Sequence, residues 1–289
     1  MRRVLVTGAT GFIGRQALPL LAERGFEVHG VSSADADLLD PEATESLVRR
    51  VQPSHLLHFA WYAVPGKFWT APENGAWVEA SVRLLGAFAD VGGERATISG
   101  SCAEYDWTGA GVLSEATTPL RPATYYGECK DGMRAAGEEL AQERGIGFSW
   151  GRIFFVYGPH EQRGRLVPQV AEAVVKGEPA PTSEGTQRRD FLHARDVAGA
   201  FVALLDSDVA GAVNVGSGEA VPVRDVVTLI GEAAGRPELV RLGEVPQRPG
   251  DPELIEADVR RLRDEVGWRP EIPLSDGIRE TVEWWKANT

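Results

Sequence analysis

The amino-acid sequence predicts an α/β protein, a doubly wound parallel sheet followed by a smaller C-terminal domain. Two observations carry that expectation. Apolar runs of β character alternate with helical stretches through the first half of the chain, the order that builds parallel strands joined by crossover helices. Near residue 156 the alternation gives way to a stretch in which proline and glycine are more frequent, which marks a domain transition.

Taken in order, strands are expected at residues 4–7, 27–31, 55–60, 95–99 and 148–155, with helices at 12–24, 41–51, 77–91 and 125–144. A short helix at 167–176 precedes Gly177-Glu178-Pro179. Residues 189–205, followed by Val213-Asn214-Val215-Gly216, read as helix then strand, so the chain is expected to return to its first domain. The resulting division is 1–155, with 186–216 returning to it, and 156–289.

A length of 289 residues suits one large α/β unit carrying a lobe. The formal net charge of −12 argues against a broad nucleic-acid surface, because neutralising phosphates needs clustered Lys and Arg. Met1-Arg2-Arg3-Val4-Leu5-Val6 runs straight into a glycine turn and reads as a first strand, not a signal peptide. No apolar run approaches the length of a membrane span. Cys102 and Cys129 offer no disulfide framework, so a reduced, cytoplasmic setting is expected.

The first strand leads into Gly8-Ala9-Thr10-Gly11-Phe12-Ile13-Gly14, and Arg15 opens the helix behind it. Strand, glycine turn and helix are the parts of a dinucleotide site. Glycine lets the backbone turn tightly and approach a pyrophosphate, and the helix N-terminus offers free N–H groups. At the end of the second strand an acidic residue would bond the ribose 2′-hydroxyl of NAD. Ser32 and Ser33 stand there instead, and with Arg15 they suit the 2′-phosphate of NADP, although Asp35 and Asp37 follow closely. Asp37 and Leu38 are expected to border the adenine.

Tyr126 and Lys130 are four residues apart and share one face of the expected helix at 125–144. That spacing is common by chance. Its weight comes from the glycine turn upstream and from the loop Ser99-Gly100-Ser101-Cys102-Ala103-Glu104-Tyr105, which follows another strand on the side where open α/β sheets bind ligands.

With these residues in place the sequence resembles the extended short-chain dehydrogenase/reductases, the family of nucleotide-sugar epimerases, dehydratases and ketoreductases with a Rossmann cofactor domain. The resemblance covers nearly the whole chain. It takes in the glycine turn, His58-Phe59-Ala60, the serine loop, Tyr126 and Lys130, and Arg152 through Val156-Tyr157-Gly158-Pro159. It continues through Arg189-Asp190-Phe191-Leu192-His193, Asn214-Val215-Gly216-Ser217-Gly218 and Arg248-Pro249-Gly250-Asp251.

The resemblance implies a hydride moving between nicotinamide and a sugar carbon while Tyr126 carries the proton. A free phenol has a pKa of about 10, so Lys130 must favour the phenolate, and it is also expected on the nicotinamide ribose. Ser101 would bond the reacting oxygen, with Ser99 as the alternative, and Phe59 and Ala60 would border the cofactor. Arg189 and Arg248 are expected on the diphosphate of a nucleotide sugar and Asp251 on its nucleotide ribose, guanidinium forks being matched to phosphate oxygens. Where many relatives have asparagine this chain has Phe155. Helices beginning near Trp77 and Tyr125 would pair across the axis of a homodimer.

Sugar dehydratases of the family place an Asp-Glu pair directly after the hydroxyl residue, and here those positions are Cys102 and Ala103. A catalytic cysteine two places before the loop tyrosine is replaced by Ala103 as well. What remains is oxidoreduction at one carbon. The missing acid after the second strand favours NADPH-dependent reduction of a nucleotide-linked 4-keto-6-deoxy sugar, and the alternative is a 4-epimerase that retains NAD. A non-catalytic dinucleotide-binding module is disfavoured by the intact Ser101, Tyr126 and Lys130. Trp61, Tyr62, Phe68 and Trp69 either stack on a ligand or pack as a loop. His58 and His193 lack metal-ligand spacing and are read as structural, so no metal is expected.

Overall fold

The computed structural model describes residues 2–289. β1 (Arg3–Thr7) leads through the glycine turn into α1 (Gly14–Glu23), followed by β2 (Glu27–Val31), α2 (Pro41–Val51), β3 (His55–His58), α3 (Glu73–Asp90) and β4 (Arg95–Ser101). A short β5 (Val112–Leu113) precedes α4 (Tyr125–Arg144), β6 (Gly147–Ile153) and β7 (Phe155–Tyr157). Next come α5 (Leu166–Lys176), β8 (Ala180–Pro181), β9 (Arg188–Arg189), β10 (Phe191–His193), α6 (Ala194–Leu205) and β11 (Gly211–Val215). The chain finishes with β12 (Val221–Pro222), α7 (Val223–Ala234), β13 (Val240–Arg241), β14 (Leu254–Ala257) and α8 (Leu274–Asn288).

Six strands form the central sheet in the order β11-β6-β4-β3-β1-β2, with every pairing parallel. β2 lies on one side of β1 and β3 on the other, so the winding reverses between β1 and β3 and leaves a crevice at their carboxyl ends. A parallel sheet is covered on both faces, and its inner strands β1 and β3 bury consecutive apolar side chains: Val4, Leu5, Val6, Leu56 and Leu57 are fully buried. On one face α1 and α6 contribute Ala17, Leu21, Val197 and Phe201. On the other, α2, α3 and α4 contribute Leu47, Leu84, Phe88 and Met133, each fully buried Leu or Phe stabilising the fold by about 1.5–3 kcal/mol. Val170, Val174, Ile230, Ile278 and Trp285 build a separate core from α5, α7 and α8.

The helix that carries Tyr126 and Lys130 is fixed at both ends. Thr124 Oγ1 accepts from Gly127 N–H at its start, and Gly145 closes its end in the left-handed conformation at φ 68°. Several expected boundaries move by two residues or more, among them three with a clear local cause. The strand expected over 148–155 breaks at Phe154, because β7 leaves the central sheet and pairs with β10. The helix expected over 189–205 begins only at Ala194, since Phe191, Leu192 and His193 are extended opposite Phe155, Val156 and Tyr157. α3 begins at Glu73, a turn earlier than expected, directly after Pro72. Among the described residues no helix is long and apolar enough to cross a membrane.

Candidate active site

The crevice begins at the glycine turn. Gly8 has φ +67°, and a Cβ there would lie 2.9 Å from Ala60 N; a Cβ on Gly14 would lie 2.2 Å from Gly8 O. The turn therefore closes only with glycine at both places, and Gly11 N–H donates to Gly8 O at 2.9 Å. Among the described residues nothing accepts from the N–H groups of Phe12 and Ile13 at the start of α1. Two free donors at a helix N-terminus, with Thr10 and Gly11 exposed beside them, fit a dinucleotide pyrophosphate. Phe59 and Ala60 follow β3 across the turn, where Ala60 N–H donates to Thr7 Oγ1. The Phe59 ring packs edge-on against Phe201 at 4.9 Å. Leu38 is buried in the core, and Asp37 accepts from Leu39 N–H.

The end of β2 bears on the expectation of NADP. Asp35 turns back onto the strand end, where its Oδ2 accepts from both Ser32 N–H and Ser32 Oγ at 2.8 Å. Those bonds to Ser32 hold the Asp35 carboxyl below its usual range, so a negative charge stands where the sequence seemed to leave serines free. Ser33 is exposed beside it. Arg15, expected to reach a 2′-phosphate, donates instead to Thr10 O and Gly11 O and bonds His160 Nδ1 at 2.8 Å. No guanidinium is aimed at Ser32 and Ser33 by these contacts.

Tyr126 and Lys130 sit one turn apart on α4, next to the carboxyl end of β4. Lys130 is buried; its Nζ donates to Ser99 O at 2.8 Å and lies 3.8 Å from the centre of the Trp61 ring and 5.9 Å from that of Tyr126. Burial pushes its pKa down to about 7, with the Glu104 carboxylate acting in the opposite direction. Burial likewise holds the Tyr126 phenol well above its ordinary value, and the Ser101 hydroxyl beside it works against that rise. Ser101 ends β4 and its Oγ accepts from Ala103 N–H. Ser99, the alternative, is buried and its carbonyl is engaged by Lys130. Tyr125 is partly exposed, with its hydroxyl beside Gly75 of α3. Phe68 and Trp69 pack edge-on to Tyr126 at 4.9 and 5.9 Å, so this aromatic loop is packed against the helix that carries Tyr126.

Beneath the serine loop lies a group the sequence reading passed over. Glu104 is fully buried, its Oε2 2.7 Å from Arg152 Nε and its Oε1 accepting from Ser101 N–H and from Trp150 Nε1. Arg152 also donates to Tyr105 Oη, which donates to Asn214 Oδ1 on β11. The network ties the turn that holds Ser101 to three strands. The only signal in the sequence was an acid and an arginine at positions where a parallel strand and its following turn ought to be apolar. Burial pushes the Cys102 thiol far up, with Glu104 and Asp190 adding to the rise, so it stays protonated.

At the far end, Arg189 is buried and already paired. It donates to Asp251 Oδ1 at 2.5 Å and to Pro252 O at 2.9 Å. Arg248 is exposed, and its side chain makes no ion pair or hydrogen bond among the described residues. The structure thus joins Arg189 to Asp251 and leaves Arg248 apart. His58 is neutral, its pKa pushed down to about 3 by burial, and it bridges Thr7 and Ser81. His193 caps α6 through Nδ1 while its buried Nε2 has no hydrogen-bond partner among the described residues.

The model of the NAD dependent epimerase/dehydratase family matches residues 4–216. Over 93% of its length the chain is 29% identical to UDP-glucose 4-epimerase of Corynebacterium glutamicum, covering 91% of that protein. Its structure is similar to that of Thermus thermophilus UDP-glucose 4-epimerase in complex with NAD, with a TM-score of 0.86, 28% identity and coverage of 99% of this chain and 100% of that one. It is also similar to MoeE5 in complex with UDP-glucose and NAD, with a TM-score of 0.80, 30% identity and 99% of each chain covered.

Proposed function

Because this chain belongs to the NAD dependent epimerase/dehydratase family, we propose that it is a nucleotide-sugar 4-epimerase that retains NAD. The observation that carries the choice of cofactor is the Asp35 carboxylate folded onto Ser32, with Arg15 engaged elsewhere. A 2′-phosphate would meet that charge, whereas a ribose 2′-hydroxyl would find an acceptor. With NADP disfavoured, the keto-sugar reductase loses the premise that set it ahead of the epimerase. The named relatives, an epimerase and two NAD-bound structures, support the same choice.

When bound, NAD would supply the hydride acceptor and donor for a sugar carbon. The protein moves the proton. Tyr126 Oη takes the proton of the sugar hydroxyl and gives it back to the carbonyl oxygen, oriented by Ser101 Oγ, while the Lys130 ammonium favours the phenolate. Gly8, Gly11 and the N–H groups of Phe12 and Ile13 hold the pyrophosphate, with Thr10 and Gly14 completing the turn. Arg189 and Arg248 serve the diphosphate of the sugar nucleotide, and Asp251 its ribose. Residues 1–155 with 186–216 form the cofactor part and the remainder the substrate part. α3 and α4, side by side on one sheet face, are the faces a homodimer would use.

The test is to incubate the purified protein with UDP-glucose and follow both the nicotinamide absorbance and the sugar composition. The epimerase produces UDP-galactose with no net absorbance change. Absence of interconversion, together with stoichiometric NADPH consumption on a keto-sugar nucleotide, reverses the assignment.

A further inference from the structure

Trp61 lies three residues past the carboxyl end of β3, directly after Ala60. Its indole Nε1 donates to Asn74 Oδ1 at 2.8 Å, and Asn74 is fully buried, its own Nδ2 donating to Phe68 O at 2.7 Å and Ala71 O at 2.9 Å. The indole is thus fixed at its polar edge. Its face is left to Lys130, whose Nζ stands 3.8 Å from the ring centre.

We propose that Trp61 is a positioning residue for Lys130, its ring face holding the ammonium in its charged form against the serine-loop carbonyl. An ammonium over an indole is attracted by the ring quadrupole, most strongly where water is excluded. Lysine carries a flexible four-carbon stem, so a hydrogen bond to Ser99 O alone would leave the ammonium loosely held. The other groups facing it come from every neighbouring element. Neutral His58 lies on β3, Glu104 in the turn after β4, the Tyr126 ring on the same helix, and the Trp150 ring at 5.9 Å on β6. Glu104 is the one opposite charge, and it is already committed to Arg152 at 2.7 Å. The ring therefore supplies support that the carboxylate divides with another cation.

This inference rests on Lys130 being the lysine of the catalytic set, and the experiment keeps the two apart. The chain's lysines are Lys67, Lys130, Lys176 and Lys286, so a protein labelled with ¹³Cε-lysine gives a spectrum simple enough to titrate, Lys130→Met identifying the signal. Trp61→Leu and Trp61→Met should each lower the Lys130 midpoint by about one pH unit, and Trp61→Phe by less than half of that. Equal midpoints in wild type, Trp61→Phe and whichever of the two non-aromatic variants melts as a folded protein overturn the role of Trp61. Full turnover of UDP-glucose by Lys130→Met would instead overturn the catalytic reading and leave the titration result standing.

Discussion

At the glycine turn the free groups are the backbone N–H donors of Phe12 and Ile13, fixed in place by β1 and α1. At the Arg189–Asp251 end the groups are side chains, one cation neutralised by a carboxylate 2.5 Å away and another, Arg248, carried on an exposed loop. The first end is preorganised, because backbone donors cannot rotate away. On the proposed function the second would have to exchange partners, since Arg189 would gain a phosphate only against the bonds it already makes. Between them stands Tyr126, whose surroundings are as fixed as the first end, although they are made of side chains.

If that contrast holds, the middle of the crevice should be the most sensitive. Tyr126→Phe should lower kcat by about 10²- to 10⁴-fold while dinucleotide affinity, measured by calorimetry, stays near wild type. Parallel losses in both would show that Tyr126 belongs to the binding end. Glu104→Ala leaves Arg152 buried without its counter-charge and should cost about 3–5 kcal/mol of unfolding free energy in urea. An unchanged midpoint would mean that the pair under the serine loop is dispensable.

The exchangeable end gives the next largest effect. A charge-assisted bond to phosphate contributes roughly 1.5–3 kcal/mol, so Arg248→Ala should raise the KM for UDP-glucose by roughly 10- to 150-fold and leave the melting temperature unchanged. Arg189→Ala should raise KM and also lower the melting temperature, because it strands the Asp251 carboxylate. Identical behaviour of the two variants would erase the distinction between a buried paired guanidinium and a free one. The smallest effect belongs to Arg15→Ala. Its contacts run to the turn carbonyls and His160, so affinities for NADH and NADPH should each change by about 0.5 kcal/mol or less. A selective loss of NADPH binding would restore Arg15 to the 2′-phosphate.

The sequence carried what depends on local pattern. The β/α alternation gave the parallel sheet, the glycine spacing gave the turn at β1, and the spacing of Tyr126 and Lys130 put both on one side of α4. What it did not carry depends on where a side chain turns after its backbone is placed. Asp35 lies three residues beyond Ser32, and only the turn in which Asp35 N–H bonds Ser32 O brings its carboxylate back to the strand end. Glu104 and Arg152 are 48 positions apart and meet only because β4 and β6 are neighbours. Residues 191–193 read as helix because their strand partners, Phe155, Val156 and Tyr157, are remote in sequence.

On the proposed function the end of β2 receives a ribose 2′-hydroxyl and the cofactor stays with the protein between turnovers. This is tested most directly by denaturing the purified protein and identifying the dinucleotide released by mass spectrometry. NAD, in an amount close to that of the protein chains, is the predicted result; NADP, or a protein that releases no dinucleotide and consumes NADPH in step with its substrate, would contradict it.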